Sequence, residues 1–496
     1  MTRKVPVDLS GMDRSFFEAL SPDARVELLC RLHALAIEQA EKLARDSTNS
    51  SRPPSSDGPF GPASGTSAGA EPPSTTPSAS PPAPEPPARS GRKPGKQRGS
   101  KGIWRCEPLQ AERDENHYPT LCAACATPFE MWDRLSGHSA HFVLDLERTT
   151  GGIRIACVRH RYHALECACG VQTAARPGVG VLSTVPGRAR DLSEACLVGP
   201  ALATFIAALS VRYHVSRAKI REFLAVWFGV PLSVGTLDRC IREVGVACEP
   251  VVEDLLGDLR QAGVIHADET PWRQHGRLRW LWVVLSSTTA IFHIGSRAAD
   301  EIRDLIGDAF LGWLVSDGYA AYRSFKKRQR CLAHLLRKGI ALAGGLNPVG
   351  VNFGDWLLRE MRGLIHEVAE GTGARIINPI LARLKRACKL HRDDEAEKVR
   401  ALAREILKDW AAITAFVTNP DLPATNNEAE RALRDAVIAR RISNGTRSEE
   451  GSAAYAATLS VFETCRRRGI EPWQYITDLL ARARKGLPHI TIPLLA

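Results

Sequence analysis

The chain has 496 residues, of which 44% are hydrophobic and 24% charged, so it is long enough to form several domains. Its net charge of +11 favours a polyanionic partner, and no uncharged apolar run reaches the about 18 residues that suggest a membrane span. The N-terminal segment lacks a secretory h-region, and the 13 cysteines, an odd number, argue against a disulfide framework. We therefore expect a multi-domain cytoplasmic protein with free thiols.

The first hundred residues predict one helix followed by a long linker. The helix is expected to begin at Pro22 and to run to about Arg45, with a leucine-rich side that suits either a coiled coil or simple docking. Residues 47–102 are rich in Ser, Pro, Gly and Ala, a composition that buries too little apolar surface to fold. Residues 90–101 concentrate Arg and Lys among glycines, which fits an arm on DNA phosphates or a solvated tail.

Two cysteine pairs flank a stretch of alternating, strand-like sequence. The pairs are Cys122-x-x-Cys125 and Cys167-x-Cys169. Because four thiolates complete a tetrahedral zinc shell, we predict that residues 103–175 form a zinc-ribbon-like segment. The second pair is one residue tighter than usual, and the residues that could replace one of its members are Cys157, His160 and His163. Ordinary free thiols are the alternative interpretation.

Residues 176–250 are predicted to be helical and to end in a helix-turn-helix. Two helices that each begin after a serine are joined by a Gly-Val-Pro-Leu turn at residues 229–232, and the second is expected to end at Val246. In a DNA-reading module, Thr236 and Arg239 would face the groove. The same pattern is common in helical hairpins that only pack, so both interpretations stay open.

The region after residue 263 predicts three antiparallel strands, a helix and a fourth strand, which is the order of a ribonuclease-H-like core. Asp268 lies on the first strand, and alternation places it on the face of His266 and opposite Glu269. Asp317 follows the buried fourth strand at an Asp-Gly turn, where it either binds a metal ion or caps the next helix. A fifth strand is expected near Gln329.

A third carboxylate is expected from a helix that begins at an Asn-Asn pair. Glu430 shares a helix face with the apolar Leu433 and Val437, whereas Glu428 lies on a polar face, so Glu430 should point at the sheet. The alternative is an ordinary capping interaction of Glu430 with Asn427.

Motifs spaced along nearly the whole chain resemble those of one protein family, the insertion-sequence-66 transposases. They are NSSRPPSSD at residues 49–57, the Gly-Lys-rich run at 92–102, DETPW from Asp268, LVSDGYAAY around Asp317, QRCLAHLLRK from Gln329, NNEAERALR around Glu430 and EPWQYITDLL at 471–480. The tight Cys167-x-Cys169 pair departs from the usual pattern and leaves the zinc ligands open.

The resemblance implies a DDE transposase in which Asp268, Asp317 and Glu430 hold two Mg²⁺ or Mn²⁺ ions for 3′ end cleavage and strand transfer. It also implies duplex DNA as partner, a homo-oligomer on DNA and small accessory proteins of the same element. The basic residues expected to hold the DNA backbone are Lys326, Lys327, Arg328, Arg330, Arg337, Lys338, Arg431, Arg434, Arg440 and Arg441. Cys331 and His334 could bind a second zinc ion or support the site by packing.

The predicted fold is a multi-domain α+β arrangement with a mixed five-stranded sheet. Its units are an N-terminal helix (1–46), the linker (47–102), the zinc segment (103–175), the helix-turn-helix region (176–250), the catalytic domain (251–450) with a helical insertion (about 344–419), and a helical tail (451–496). Two other functions fit the same motifs, a DNA-binding regulator whose catalytic fold is inactive and a metal-dependent nuclease that cuts without joining.

Overall fold

A computed structural model describes residues 21–43, 109–130, 134–182 and 190–494, which form a mixed α+β fold. The predicted linker with its basic arm lies outside the described residues. The first described helix, α1 (Pro22–Leu43), begins where the sequence predicts, and the Ser21 hydroxyl accepts a hydrogen bond from the Ala24 N–H at 3.3 Å. Within the described part of the chain, every helix is too short or too polar to span a membrane.

The N-terminal sheet is built on a long antiparallel hairpin of two strands, β2 and β3. Its strands are β1 (Arg113–His117), β2 (Arg134–Thr149), β3 (Gly152–Glu166) and β4 (Gln172–Ala174). Strand β1 pairs in parallel with β3 on the side away from β2, and β4 pairs with the end of β3. A separate two-stranded pair follows, β5 (Val179–Leu182) with β6 (Arg190–Ser193).

Three helices lead into the central sheet, α2 (Pro200–Val211), α3 (Arg217–Phe228) and α4 (Val234–Arg260). The prediction that the last of them ends at Val246 was wrong. Buried Val251 and Leu259 continue its apolar face beyond that point, and Pro250 does not interrupt the helix. As a result α4 forms part of the main core and packs against helices from the C-terminal region.

The central sheet contains β7 (Val264–Gln274), β8 (Arg277–Leu285), β9 (Ala290–Gly295), β10 (Trp313–Ser316) and β11 (Arg328–Arg330). The strand order is β11-β10-β7-β8-β9, with β7, β8 and β9 antiparallel and β10 and β11 parallel to β7. Helix α5 (Ala299–Ile306) connects β9 to β10, which agrees with the predicted order of strands and helix.

After β11 the chain forms a helical region with its own hydrophobic core. Its helices are α6 (Leu332–Ala343), α7 (Pro348–Ala369), α8 (Ala374–Leu390), α9 (Glu397–Lys408) and α10 (Trp410–Thr418). The chain then returns to the sheet through α11 (Asn427–Ser443), which packs on β7 and β8. The remaining helices are α12 (Glu449–Arg467) and α13 (Pro472–Arg484). Although the sequence suggests a tail here, α12 packs on β9 and α4 in the main core.

Candidate active site

The three carboxylates predicted to act together line one cavity of about 590 Å³. Asp268 lies in the middle of β7, Asp317 follows the last residue of β10, and Glu430 lies near the start of α11. Val315 pairs in parallel with His266, and this register carries Asp317 alongside Asp268 two residues further on. The fold therefore brings three acids from distant parts of the sequence to one place.

The helix contributes Glu430 rather than Glu428 to this cavity. Leu433 and Val437, on the same face of α11, line the cavity as well. The Glu428 carboxylate instead accepts a hydrogen bond from Arg431 at 2.7 Å. The spacing of apolar residues in the helix thus identifies the face that meets the sheet.

Burial makes the two aspartates of the site hard to ionise when no cation is bound. The pKa of Asp268 is raised well above its usual range, first by burial and then by repulsion from Glu269, Asp317 and Glu430. Burial likewise raises the pKa of Asp317. One Asp317 oxygen accepts a hydrogen bond from the Tyr319 N–H at 2.8 Å, so this residue stabilises its turn while it lines the cavity. A bound cation would relieve the repulsion among these acids.

The Glu430 carboxylate forms an ion pair with an arginine. The Arg337 guanidinium donates to both Glu430 oxygens, at 3.0 and 3.2 Å. The ligand atoms of Cys331, His334 and Glu430 all lie within 4.8 Å of one another. Among the described residues, the three acids do not form such a cluster. The Glu430 carboxylate is therefore already paired with a cationic side chain of the protein.

A fourth carboxylate, Glu269, lines the same cavity, which alternation along β7 did not predict. Its side chain is 2% exposed; it accepts hydrogen bonds from the Tyr322 hydroxyl at 2.6 Å and from Arg297 at 2.8 Å. The Arg297 guanidinium lies between the rings of Trp280 and Tyr319, 4.0 and 4.1 Å from their centroids. In the sequence, the only sign that Glu269 belongs to the site is its position next to Asp268. Its hydrogen-bond partners come from other elements of the fold.

Substitution of Glu269 by Gln is expected to make the stability of the metal-free protein less dependent on pH. Burial, followed by repulsion from Asp317, raises the pKa of Glu269 from 4.5 to about 7. The folded chain therefore holds more protons than the unfolded chain between these values, and stability falls as pH rises through that window. Thermal unfolding in EDTA should show a smaller loss between pH 5 and pH 8 for Glu269→Gln than for the wild type. An unchanged pH profile, or the same change in the control Glu428→Gln, would contradict this assignment.

The start of α11 is fixed to β7 by a buried asparagine, Asn426. Its side-chain oxygen lies 3.0 Å from Nδ1 of His266, and its side-chain nitrogen donates to the Ala267 carbonyl at 2.8 Å. Its backbone N–H donates to Cys331 Sγ at 3.1 Å. Asn426, and not Asn427, occupies the N-cap position, and these bonds to the strand set the position of Glu430 relative to Asp268.

Cys331 and His334 lie beside this junction. Cys331 is buried, and its sulfur accepts the hydrogen bond from Asn426. Nδ1 of His334 is 3.8 Å from a Glu430 oxygen. Burial, followed by the nearby Arg337 charge, lowers the pKa of His334 to about 3, so this imidazole is neutral. These contacts favour the interpretation that the pair supports the site by packing.

Basic residues predicted to contact DNA surround the cavity. Those that line it are Arg337, Arg434, Arg440 and Arg441. The half-buried Arg440 donates to the Thr270 hydroxyl at 3.0 Å and to the Pro271 carbonyl. The predicted DNA contacts with exposed side chains are Arg239, Lys326, Lys327, Arg431, Arg434 and Arg441.

The prediction that Arg328 and Arg330 present their charges to DNA was wrong. Both are buried, and both form ion pairs with Asp409, at 3.2 and 2.9 Å. Glu405 binds Arg330 and also Lys338, the latter at 2.6 Å, so Lys338 too is engaged within the protein. The basic run is evident in the sequence, whereas the acids that neutralise it come from a helix and a loop much later in the chain.

The four predicted zinc ligands meet at the end of the N-terminal sheet. Their sulfur atoms all lie within 4.8 Å of one another, with Cys122 and Cys169 at 3.6 Å and Cys125 and Cys167 at 3.5 Å. Zn–S bonds of about 2.3 Å in a tetrahedron place sulfur atoms about 3.8 Å apart. Hydrogen bonds from the N–H groups of Cys125 and Ala124 lower the pKa of Cys122 to about 6, which favours its thiolate, whereas burial and the neighbouring Cys125 thiol raise the pKa of Cys167. The tight second pair therefore fits a tetrahedral site without a substitute ligand.

Helices α3 and α4, which the sequence predicts to form a helix-turn-helix, are joined by a turn that begins at a left-handed glycine, Gly229, with φ 64°. Ser216 and Ser233 cap the two helices through bonds from the N–H groups of Lys219 and Thr236. The Thr236 hydroxyl is 2.9 Å from that of Ser233, so it belongs to the cap.

Comparison with known proteins gives a family and several relatives. The family described as "Transposase IS66 family" matches residues 195–454, a little over half of the chain. The chain is similar to three uncharacterized proteins of Sinorhizobium fredii. It is 33% identical to y4jO over 322 residues, 62% of this chain and 82% of the relative. It is 24% identical to y4jD over 366 residues, 66% of this chain and 69% of the relative. With y4qI the identity is 23% over 300 residues, 52% of this chain and 55% of the relative.

Proposed function

Because this chain belongs to the IS66 transposase family, we propose that it binds the ends of a mobile DNA element, cleaves them and joins the freed 3′ ends to target DNA. The observation that carries the proposal is the meeting of Asp268, Asp317 and Glu430 at one cavity. Carboxylates on two neighbouring strands and a facing helix are the donors that Mg²⁺ or Mn²⁺ prefers in phosphoryl-transfer sites.

We propose that residues 264–330 with α11 are a ribonuclease-H-like core. Three antiparallel strands, a helix and two parallel strands in the order β11-β10-β7-β8-β9 support this assignment. Asp268 in the middle of the central strand and Asp317 at the end of its neighbour occupy the positions expected of the first two acids. The helices of residues 348–418 interrupt this core and would be an insertion.

The acids fit a site for two divalent ions, which would activate the attacking water or 3′ hydroxyl and stabilise the leaving oxygen. A cation bound there would offset the repulsion from Glu269, Asp317 and Glu430 that contributes to the raised pKa of Asp268. Glu430 would join them by leaving Arg337. The Arg337 guanidinium, which lines the same cavity, would then be available to a DNA phosphate.

Arginines on the outer part of α11 would hold the DNA backbone at the mouth of the cavity. Arg434 and Arg441 line the cavity and have exposed side chains, and Lys326 and Lys327 are exposed on the loop before β11. Arg239 on α4 would reach a second stretch of DNA as part of a helix-turn-helix.

A structural zinc ion would be held by the four clustered cysteines, Cys122, Cys125, Cys167 and Cys169. Four thiolates that lie this close together are enough to complete a tetrahedral zinc shell.

A transposase must act on two element ends. We therefore propose that this protein assembles as a homo-oligomer on DNA, and that small accessory proteins of the same element take part.

A cleavage and joining assay tests this function. Purified protein is mixed with Mg²⁺, a duplex carrying the terminal inverted repeat of its own element, and a target plasmid. The proposal predicts nicks at the 3′ ends of the repeat and plasmids joined to those ends. Cleavage without joining would identify a nuclease instead. Binding to the repeat with neither product would favour a regulator whose catalytic fold is inactive.

A further inference from the structure

A second group of metal-type ligands lies on the N-terminal sheet, apart from both the acidic cavity and the four cysteines. We propose that Glu115, His117 and His160 bind a divalent transition-metal ion, such as Zn²⁺ or Co²⁺. This inference does not depend on the proposed function, because it uses residues outside the part of the chain that matches the transposase family.

Strand pairing explains why these three side chains meet. In the parallel pairing of β1 with β3, Glu115 lies opposite His160 and His117 lies opposite Tyr162. Residues two apart on a strand point to the same face, so all four side chains share one face of the sheet. His141 of β2 lies opposite His160 from the other side and joins them on that face.

The ligand atoms are close enough for one ion to contact all of them. Nε2 of His117 is 2.9 Å from Nδ1 of His160, which is 3.6 Å from Oε2 of Glu115. All three ligand atoms lie within 4.8 Å of one another. Zinc bonds of about 2.0 to 2.2 Å place neighbouring nitrogen and oxygen ligands roughly 3 to 3.5 Å apart, which matches these separations.

The surrounding side chains hold the ligands in place. The rings of Tyr162 and His117 stack with centroids 4.4 Å apart, and those of His141 and His160 stack at 5.5 Å. Glu115 has one oxygen 3.5 Å from Arg113, and its other oxygen faces His160. The His160 side chain is only 20% exposed. The site is therefore largely formed before an ion arrives.

The chemistry of the donors selects the class of ion. Two imidazoles and one carboxylate suit Zn²⁺, Co²⁺ or Ni²⁺, whereas Mg²⁺ prefers oxygen ligands alone. Three protein ligands leave a position for water or for a group from a partner. An ion bound here would also tie the short strand β1 to β3.

Cobalt titration of the full-length protein, after removal of its metals and in saturating Mg²⁺ so that the acidic cavity is kept from taking up Co²⁺, tests the proposal. Thiolate ligands give Co²⁺ an intense near-ultraviolet charge-transfer band, and a site of nitrogen and oxygen ligands does not. The wild type is expected to bind two Co²⁺ per chain, only one of them with the thiolate band. His117→Ala and His160→Ala should each bind one Co²⁺ and keep that band, which also shows that the segment is folded. The matched control is His163→Ala, because His163 lies on the opposite face of β3, bonded to Asn116 at 2.8 Å, and this variant should still bind two.

Retention of two Co²⁺ in the His117 and His160 variants, or a single thiolate-bound Co²⁺ in the wild type, would overturn the proposal. Should the histidine variants lose the thiolate band because the segment fails to fold, Glu115→Gln decides the matter, since it removes a charge with little change in shape. In Glu115→Gln, a Co²⁺ dissociation constant at the second site that is raised by about tenfold or more supports the proposed site, and an unchanged constant refutes it.

Discussion

Asp268→Asn is expected to abolish end cleavage and strand transfer while making the metal-free fold more stable. The variant loses a charged ligand at the centre of the acidic cavity, and cleavage should fall by on the order of 10³-fold or more. Folding raises the pKa of Asp268, mainly through burial, so the folded chain keeps a proton that the unfolded chain releases. As pH rises above the pKa of Asp268 in the unfolded chain, the unfolded state is therefore favoured and the free energy of unfolding falls. Asn does not ionise, so the variant does not lose this stability.

The two effects of Asp268→Asn are measured separately. A time course of nicking on the terminal repeat in Mg²⁺ gives the rate, and thermal unfolding in EDTA at pH 8 gives the stability. The variant should unfold at a higher temperature than the wild type. Glu428→Gln, an acid on the same helix as Glu430 but outside the cavity, should cleave at the wild-type rate. Substantial cleavage by Asp268→Asn, or an unfolding temperature below that of the wild type, would be incompatible with a buried metal ligand.

Cys125→Ser is expected to remove zinc from the protein and to unfold the N-terminal sheet locally. The Cys125 sulfur lies 3.5 Å from the Cys167 sulfur, and the two cysteine pairs flank the β2–β3 hairpin in the sequence, one before β2 and one after β3. Loss of one thiolate leaves three ligands, and the binding energy that helps this small sheet to fold is lost. Zinc content should fall by at least one ion per chain.

Metal analysis and limited proteolysis measure the effect of Cys125→Ser. Cleavage sites between residues 109 and 182 should become accessible, while the central sheet stays protected. The control is Cys30→Ser, because Cys30 is exposed on α1 and far from the cluster in sequence. Unchanged zinc content in Cys125→Ser would exclude the cysteine site.

Much of the central sheet follows from local sequence. Strands β8, β9 and β10 are apolar runs ended by turns, and β7 begins with apolar residues before it reaches Asp268. Helix α4 was less predictable, because it continues past the expected end at Val246 and through Pro250, and its buried face packs on α12. Local signals thus give the type of an element better than its length.

The candidate site was predictable where a single element carries the evidence. The helical spacing of Leu433 and Val437 identifies Glu430 as the inward acid, and the cavity contains it. The burial of Arg328 and Arg330 was not predictable, because Asp409 neutralises them from a distant helix. A run of positive charge in a sequence carries no information about acids that fold onto it.

The roles of Glu269 and Asn426 also depend on contacts between distant segments. Glu269 is held by Tyr322 and Arg297, and Asn426 joins α11 to β7 through His266 and Ala267. Neither set of partners has a fixed sequence spacing. Such residues become visible only when the elements are assembled.

The central claim, that Asp268, Asp317 and Glu430 together hold the catalytic ions, is tested most directly by counting bound Mn²⁺. Electron paramagnetic resonance of free Mn²⁺ gives the number of ions taken up by the protein in complex with its element end. The wild type should bind two ions per active site, and Asp268→Asn, Asp317→Asn and Glu430→Gln should each lose at least one, whereas Glu428→Gln should lose none. Full Mn²⁺ binding by all three triad variants would contradict the account.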